Sequence, residues 1–309
     1  MRPLPSITAG LLLVSVISSR SDPADATVEG KLSEVSVTLA DSRINESSGL
    51  VRSLRHPGIF WTLNDSGGEP CVFALDTQGR TRAKVRLRDA VNLDWEDIAI
   101  SRNTEGQPRL LIADIGDNLG IRPSIVIYDI PEPDIAPDNQ THPEETWSGA
   151  TRAIHAAYPD HPRNAEGLVI HPVTRRMYIV TKSDSVPSEV FSLPLGANGD
   201  ATEMLEPVAQ ISFPTEARLG KRPRDNTMAT AADISPDGSR LLIATYSHIY
   251  EWRLSGSESL ADALKKSPVK LAPTVTRQME AVAYDPDGMT IWFTSEQLPA
   301  PMVKIGRGD

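Results

Sequence analysis

The sequence holds one cysteine, Cys71. An internal disulfide, a thiolate metal cluster and a lipid-modified cysteine beside a leader are thereby excluded, and stability has to come from a packed core. Long apolar runs are missing too. The stretch from Ile7 to Ser18 falls well short of the roughly 20 residues that a helix needs to cross a bilayer. Basic residues are in the minority: 31 Lys and Arg stand against 41 Asp and Glu, a formal charge of −10. That balance argues against nucleic acid or an anionic membrane as the main partner. Catalytic signatures are equally scarce. There is no G-x-S-x-G nucleophile elbow and no H-E-x-x-H pair among the six histidines, of which His171 falls in a turn pattern. Ser66-Gly67-Gly68 is too short for a phosphate cradle. Nothing supports a covalent mechanism.

What is present starts with Arg2, the apolar run, and a polar stretch containing Ala24-Asp25-Ala26. That order reads as a secretory signal over residues 1–26 with a small-x-small cleavage site. The expectation is a secreted or periplasmic protein without a membrane anchor, a monomer, whose residues 27–309 form one domain. The 25 prolines and 20 glycines, with few long helical patterns, favour short strands joined by turns.

The strongest signal is an internal repeat. Five segments share a short apolar strand entered through a polar residue. They are Ser48-Gly-Leu-Val-Arg52, Glu96-Asp-Ile-Ala-Ile100, Glu166-Gly-Leu-Val-Ile170, Thr230-Ala-Ala-Asp-Ile234 and Glu280-Ala-Val-Ala-Tyr284. His171-Pro172, Ser235-Pro236 and Asp285-Pro286 follow at one offset, as turn sequences should. A second strand then ends in polar residues, a third follows, and weaker fourth strands can be placed. Units of this kind bury their faces by stacking radially. The prediction is an all-β, five-bladed β-propeller with blades starting near residues 46, 94, 164, 228 and 278. The last copy runs out of chain after three strands, near Met302 to Ile305, and Ser33 to Leu39 supplies its outer strand, closing the ring. A β-sandwich is the alternative arrangement.

In such a meander the first strands start, and the second strands end, at one mouth of the axis. Ser48, Glu96, Glu166, Thr230 and Glu280 converge there. Three facing carboxylates repel unless neutralised, and a ring of hard oxygen donors suits Ca²⁺ better than zinc. The competing reading is that these are surface turn residues. Asn64, Asn118, Tyr246 and Glu296 are expected on the rim as ligand-binding residues. Asp65, Asp114, Asp117 and Lys182 reach the same rim as candidates for positioning a water or stabilising developing charge. Arg163, Arg222, Arg224 and Arg277 sit in the entering loops, either to hold a small anionic ligand or to pair with nearby carboxylates.

The order Ser48, Glu96, Glu166, Thr230, Glu280 resembles the calcium-activated nucleotidases, or apyrases, five-bladed propellers with a central Ca²⁺ held by serine and glutamate side chains. Thr230 stands where that family would have serine and keeps the hydroxyl. That family's substrate-binding sequence has no counterpart here. Asn164-Ala-Glu-Gly-Leu-Val with Met177-Tyr-Ile-Val is similar to one strand pair of the bacterial propeller phytases, which are calcium-dependent and six-bladed. Trp61-Thr-Leu-Asn-Asp-Ser-Gly67, Asp94-Trp-Glu-Asp97 and Asp114-Ile-Gly-Asp-Asn118 resemble a group of exported bacterial propeller proteins of unassigned activity. Two functional expectations follow. One is a calcium-dependent phosphohydrolase acting on esters or anhydrides. The other is a non-catalytic propeller that binds protein or glycan and uses Ca²⁺ to pin its blades. A glycosidase built on paired carboxylates ranks below both.

Overall fold

A computed structural model describes residues 32–135, 145–183, 185, 187–196, 201–216, 218 and 220–307, together with the backbone of Arg20–Ser21 and Thr27–Val28. Most of the predicted leader lies outside the described residues.

Five small sheets form a ring, and the chain is a five-bladed β-propeller. The innermost strands are Ser47–Arg52, Trp95–Arg102, Ala165–Ile170, Ala229–Ile234 and Met279–Tyr284. Each is followed by an antiparallel second strand: Ile59–Asn64, Pro108–Asp114, Arg176–Thr181, Arg240–Thr245 and Ile291–Ser295. Third and fourth strands complete blades 1 to 4. Blade 5 ends on Pro301–Arg307, which pairs antiparallel with Leu32–Thr38, so an early strand and the last described strand share one sheet.

The sheets depart from a plain four-stranded meander. Blades 1 to 4 each carry a short fifth strand, parallel to the fourth. Glu145–Trp147, from the insertion of blade 2, pairs back onto Thr81–Arg86 of blade 1. Glu203–Met204, from blade 3, pairs onto Arg152–Ala157 of blade 2. Arg20–Ser21 and Thr27–Val28 do the same for blades 3 and 4. These additions cover edges that would otherwise present unpaired backbone groups.

The core is divided among the gaps between blades. Five apolar clusters occupy the five interfaces. Strand alternation explains the division, since successive side chains leave a strand on opposite faces. Phe60 faces blade 5 and Trp61 faces blade 2, both almost fully buried. Most blade strands are therefore apolar on both faces. Cys71 lies in the interface of blades 5 and 1, and burial pushes its thiol up to about 12.

Close to the axis the blades touch backbone to backbone. Gly49 has φ +70°, and a Cβ there would lie 2.7 Å from the Ile98 nitrogen and 2.8 Å from the Asp97 Cα. Gly49→Ala is expected to cost about 2–4 kcal/mol, through left-handed strain and overpacking together. Urea unfolding checks this, and an unchanged midpoint would show that blades 1 and 2 do not meet there.

Candidate functional site at the upper channel mouth

Every innermost strand carries a β-bulge near its start. In blades 2 to 5 the residue stepped over is Glu96, Glu166, Thr230 or Glu280, and in blade 1 it is Gly49, next to Ser48. A bulge re-aims the side chain it frees from the ladder. Repeated five times, it gathers these residues at one end of the channel, where all of the ring is buried.

The ring positions divide by chemistry. Ser48 donates its hydroxyl to the Glu96 carbonyl oxygen at 2.5 Å, and Thr230 donates to the Met279 carbonyl at 2.7 Å. Both hydroxyls thus staple neighbouring blades. The glutamates pair with other partners. Glu166 accepts from the Lys182 ammonium at 2.8 Å and from the Asn164 amide at 3.4 Å, and it shares a hydrogen bond with Glu96. Glu280 is hydrogen-bonded to Glu296, and the Gln278 amide donates to Glu296 at 2.7 Å.

A tighter acidic group lies beside them. Oxygens of Asp65, Asp94 and Glu96 all fall within 4.8 Å of one another. Gly116 closes over this trio, since a Cβ on it would stand 2.2 Å from Glu96 Oε1 and 2.4 Å from Asp94 Oδ2. Burial, with Glu280 and Asp94 nearby, raises Asp65 to about 6. Burial also raises Glu166 to about 7 despite Lys182, and Glu296 to about 10 with help from Glu280. Glu96 is held well above the usual carboxylate range by burial and by Glu166. The site is an acidic pocket in which Lys182 and Arg122 only partly offset the carboxylates.

Beside the acids opens a cleft of about 430 Å³ lined by Lys182, Lys221, Arg222, Arg224 and Arg277, with Tyr246 and Asn118. The Lys182 and Lys221 ammonium groups lie 5.0 and 5.6 Å from the centre of the Tyr246 ring. Burial works against the Lys182 charge, but Glu166, Tyr246 and Glu280 outweigh it and raise its pKa. Arg222 pairs with Asp225 at 3.0 Å, and Lys221 donates to the Arg277 carbonyl.

No protein-family model and no curated protein matches this chain. The nucleotidase and phytase likenesses therefore rest on the quoted residues alone, while the five-bladed ring itself is established.

The remaining expected site residues fall into three places. Arg163 lies apart from the cleft lining; it pairs with Asp160 and Glu189 and stacks over Tyr158 and Phe191. Asp114 is ion-paired with Arg122 at 2.7 Å and accepts from the Leu93 amide, and Asp117 accepts from the amides of Ile121 and Arg122. Those two carboxylates hold the loop that carries Gly116. Asn64 braces a turn, donating to the Arg43 carbonyl at 2.7 Å, whereas Asn118 and Tyr246 reach the cleft as expected from the strand order.

Asp94, Lys221 and Gln278 were not singled out by the sequence pattern. Asp94 and Gln278 stand two residues before a ring glutamate, as does Asn164. A polar residue at one fixed offset in three copies is the signal by which they could have been found.

Proposed function

We propose that the upper mouth binds Ca²⁺ through Asp65, Asp94 and Glu96, with the ring glutamates around it, and holds a phosphate ester or anhydride in the adjoining basic cleft for hydrolysis. The observation that carries this reading is the juxtaposition of a buried, under-neutralised carboxylate group with a cleft lined by five cations. The donor set fits the ion, being all oxygen and mostly anionic, and Gly116 leaves a space there that any side chain would fill. When bound, Ca²⁺ would supply Lewis acidity toward a phosphoryl oxygen. Lys182 and Lys221 line that cleft and would stabilise charge developing on the phosphoryl oxygen. Glu296, hydrogen-bonded to Glu280, is placed to keep a proton for the leaving oxygen.

A p-nitrophenyl phosphate assay tests the reading. Hydrolysis should require Ca²⁺, stop in chelator, and fall roughly 100-fold in Glu296→Gln with the calcium response of the fold retained. Hydrolysis that survives both chelator and Lys221→Ala would sink the assignment.

One observation favours the non-catalytic alternative. Val91, Leu93, Leu119 and Ile121 are 57–80% exposed on two loops of blade 2 at this same mouth, an apolar surface suited to a protein or glycan partner. Calcium binding without turnover of any phosphate ester would support that alternative.

A further inference from the structure

The channel has a second mouth, at the opposite end of the innermost strands from the acidic pocket. Asp97 is fully buried between them; its carboxylate accepts from the amides of Ile98 and Leu168 at 2.8 Å and of Ala232 at 3.4 Å. One side chain thus ties blades 2, 3 and 4 together across the axis, and Gly49 presses blade 1 against the same backbone.

Below this tie the channel opens again into a cavity of about 310 Å³ lined by Arg52 of blade 1, Arg102 of blade 2, Arg175 of blade 3 and Asp233 of blade 4. None of the three arginines makes an ion pair among the described residues. Arg102 and Arg175 donate only to the carbonyls of Gly106 and Arg102, at 2.8 and 2.7 Å. Those bonds position a guanidinium without neutralising it. Burial lowers the pKa of Arg52, and Asp233 and Asp285 offset that only in part. A second cavity, also of about 310 Å³, shares Ser101, Arg102 and Arg175 with the first and adds Arg109 and Arg152, both paired with Asp129. Five arginines line the two cavities against two lining carboxylates, Asp129 and Asp233, with Asp285 near Arg52, on a chain whose overall charge is −10.

We propose that this lower mouth is a second binding site, taking a small molecule that carries a phosphate monoester. Guanidinium forks arriving from three blades match a tetrahedral dianion, which can accept from several directions at once. Leu54, Ile100, Pro172 and Pro236 supply apolar walls for the organic part, and the linked second cavity gives room for a ligand larger than the phosphate group. No residue lines both this cavity and the upper cleft.

Arginine side-chain NMR on the full chain tests this without any substitution, using inorganic phosphate as the probe in chelator at constant ionic strength. The Nε–Hε signals of Arg52, Arg102 and Arg175 should shift saturably. Arg52→Gln, or Arg175→Gln if that variant fails to fold, should weaken the binding at least roughly tenfold, while Lys221→Ala at the upper cleft leaves it unchanged. Signals that stay still, or that move only linearly with phosphate, would overturn the site. So would a titration that responds to Lys221→Ala and not to Arg52→Gln.

Discussion

In chelator at pH 8, Lys182→Met should destabilise the protein by about 3–5 kcal/mol, the cost of stranding one partner of a buried ion pair. The large figure follows from position. Glu166 is almost fully buried, the Lys182 ammonium donates to it at 2.8 Å, and Glu280 adds negative charge beside it. The loss should shrink toward pH 5, because Glu166, already raised to about 7, then takes up a proton and needs no cation. Saturating Ca²⁺ should shrink it as well. Urea unfolding of both proteins at the two pH values, with and without Ca²⁺, measures all of this. A loss below 1 kcal/mol under every condition would mean that Glu166 is solvated and the acidic pocket is not the strained element described above.

Calcium should also reverse the pH dependence of stability. Asp65 at about 6 and Glu166 at about 7 have folded values above their unfolded ones of roughly 4. The native state therefore binds more protons than the unfolded chain between about pH 4 and pH 7, and the metal-free protein loses stability as pH rises through that window. Below pH 4 both states are protonated and the penalty is absent. A cation bound by the ionised forms competes with those protons, so its stabilisation grows with pH. At a hundredfold excess over the dissociation constant it amounts to about 2.7 kcal/mol, or roughly 4–5 °C in Tm for a chain of this size. Asp94→Asn should remove most of the calcium gain, yet raise the Tm of the chelated protein by relieving repulsion. Thermal scans from pH 5 to 8 decide the matter. Coincident curves in chelator and in Ca²⁺ would end the metal assignment and leave these carboxylates as turn residues.

The inner blade strands were legible because most are apolar on both faces and bounded by turn residues, and the repeat fixes where each blade begins. Ser47, Trp95, Ala165, Ala229 and Met279 open the innermost strands within a residue of the expected starts. The parallel fifth strands were not legible. Glu203–Met204 has two residues and no alternation to read, and Glu145–Trp147 sits inside what reads as a loop insertion. The convergence of Glu96, Glu166 and Glu280 followed from topology alone. Their partners did not, since hydrogen bonding depends on bulges that re-aim single side chains. Thus Ser48 and Thr230 bind carbonyls, Arg163 stacks on aromatic rings, and Asp94 joins Asp65 and Glu96.

Closure of the ring has a kinetic consequence. The Ser33 hydroxyl donates to the Gly306 carbonyl across 273 residues of sequence. Of the strands that complete the last blade, Leu32–Thr38 leaves the ribosome before every innermost strand and Pro301–Arg307 leaves after them. Blade 5 consequently cannot be finished until the other four blades have been made, and its closing ladder forms late. Such distant pairing carries the loop-closure entropy that makes folding slow. An incomplete chain of this protein is an open ring with two bare sheet faces, recognisable to proteases until its last strand arrives.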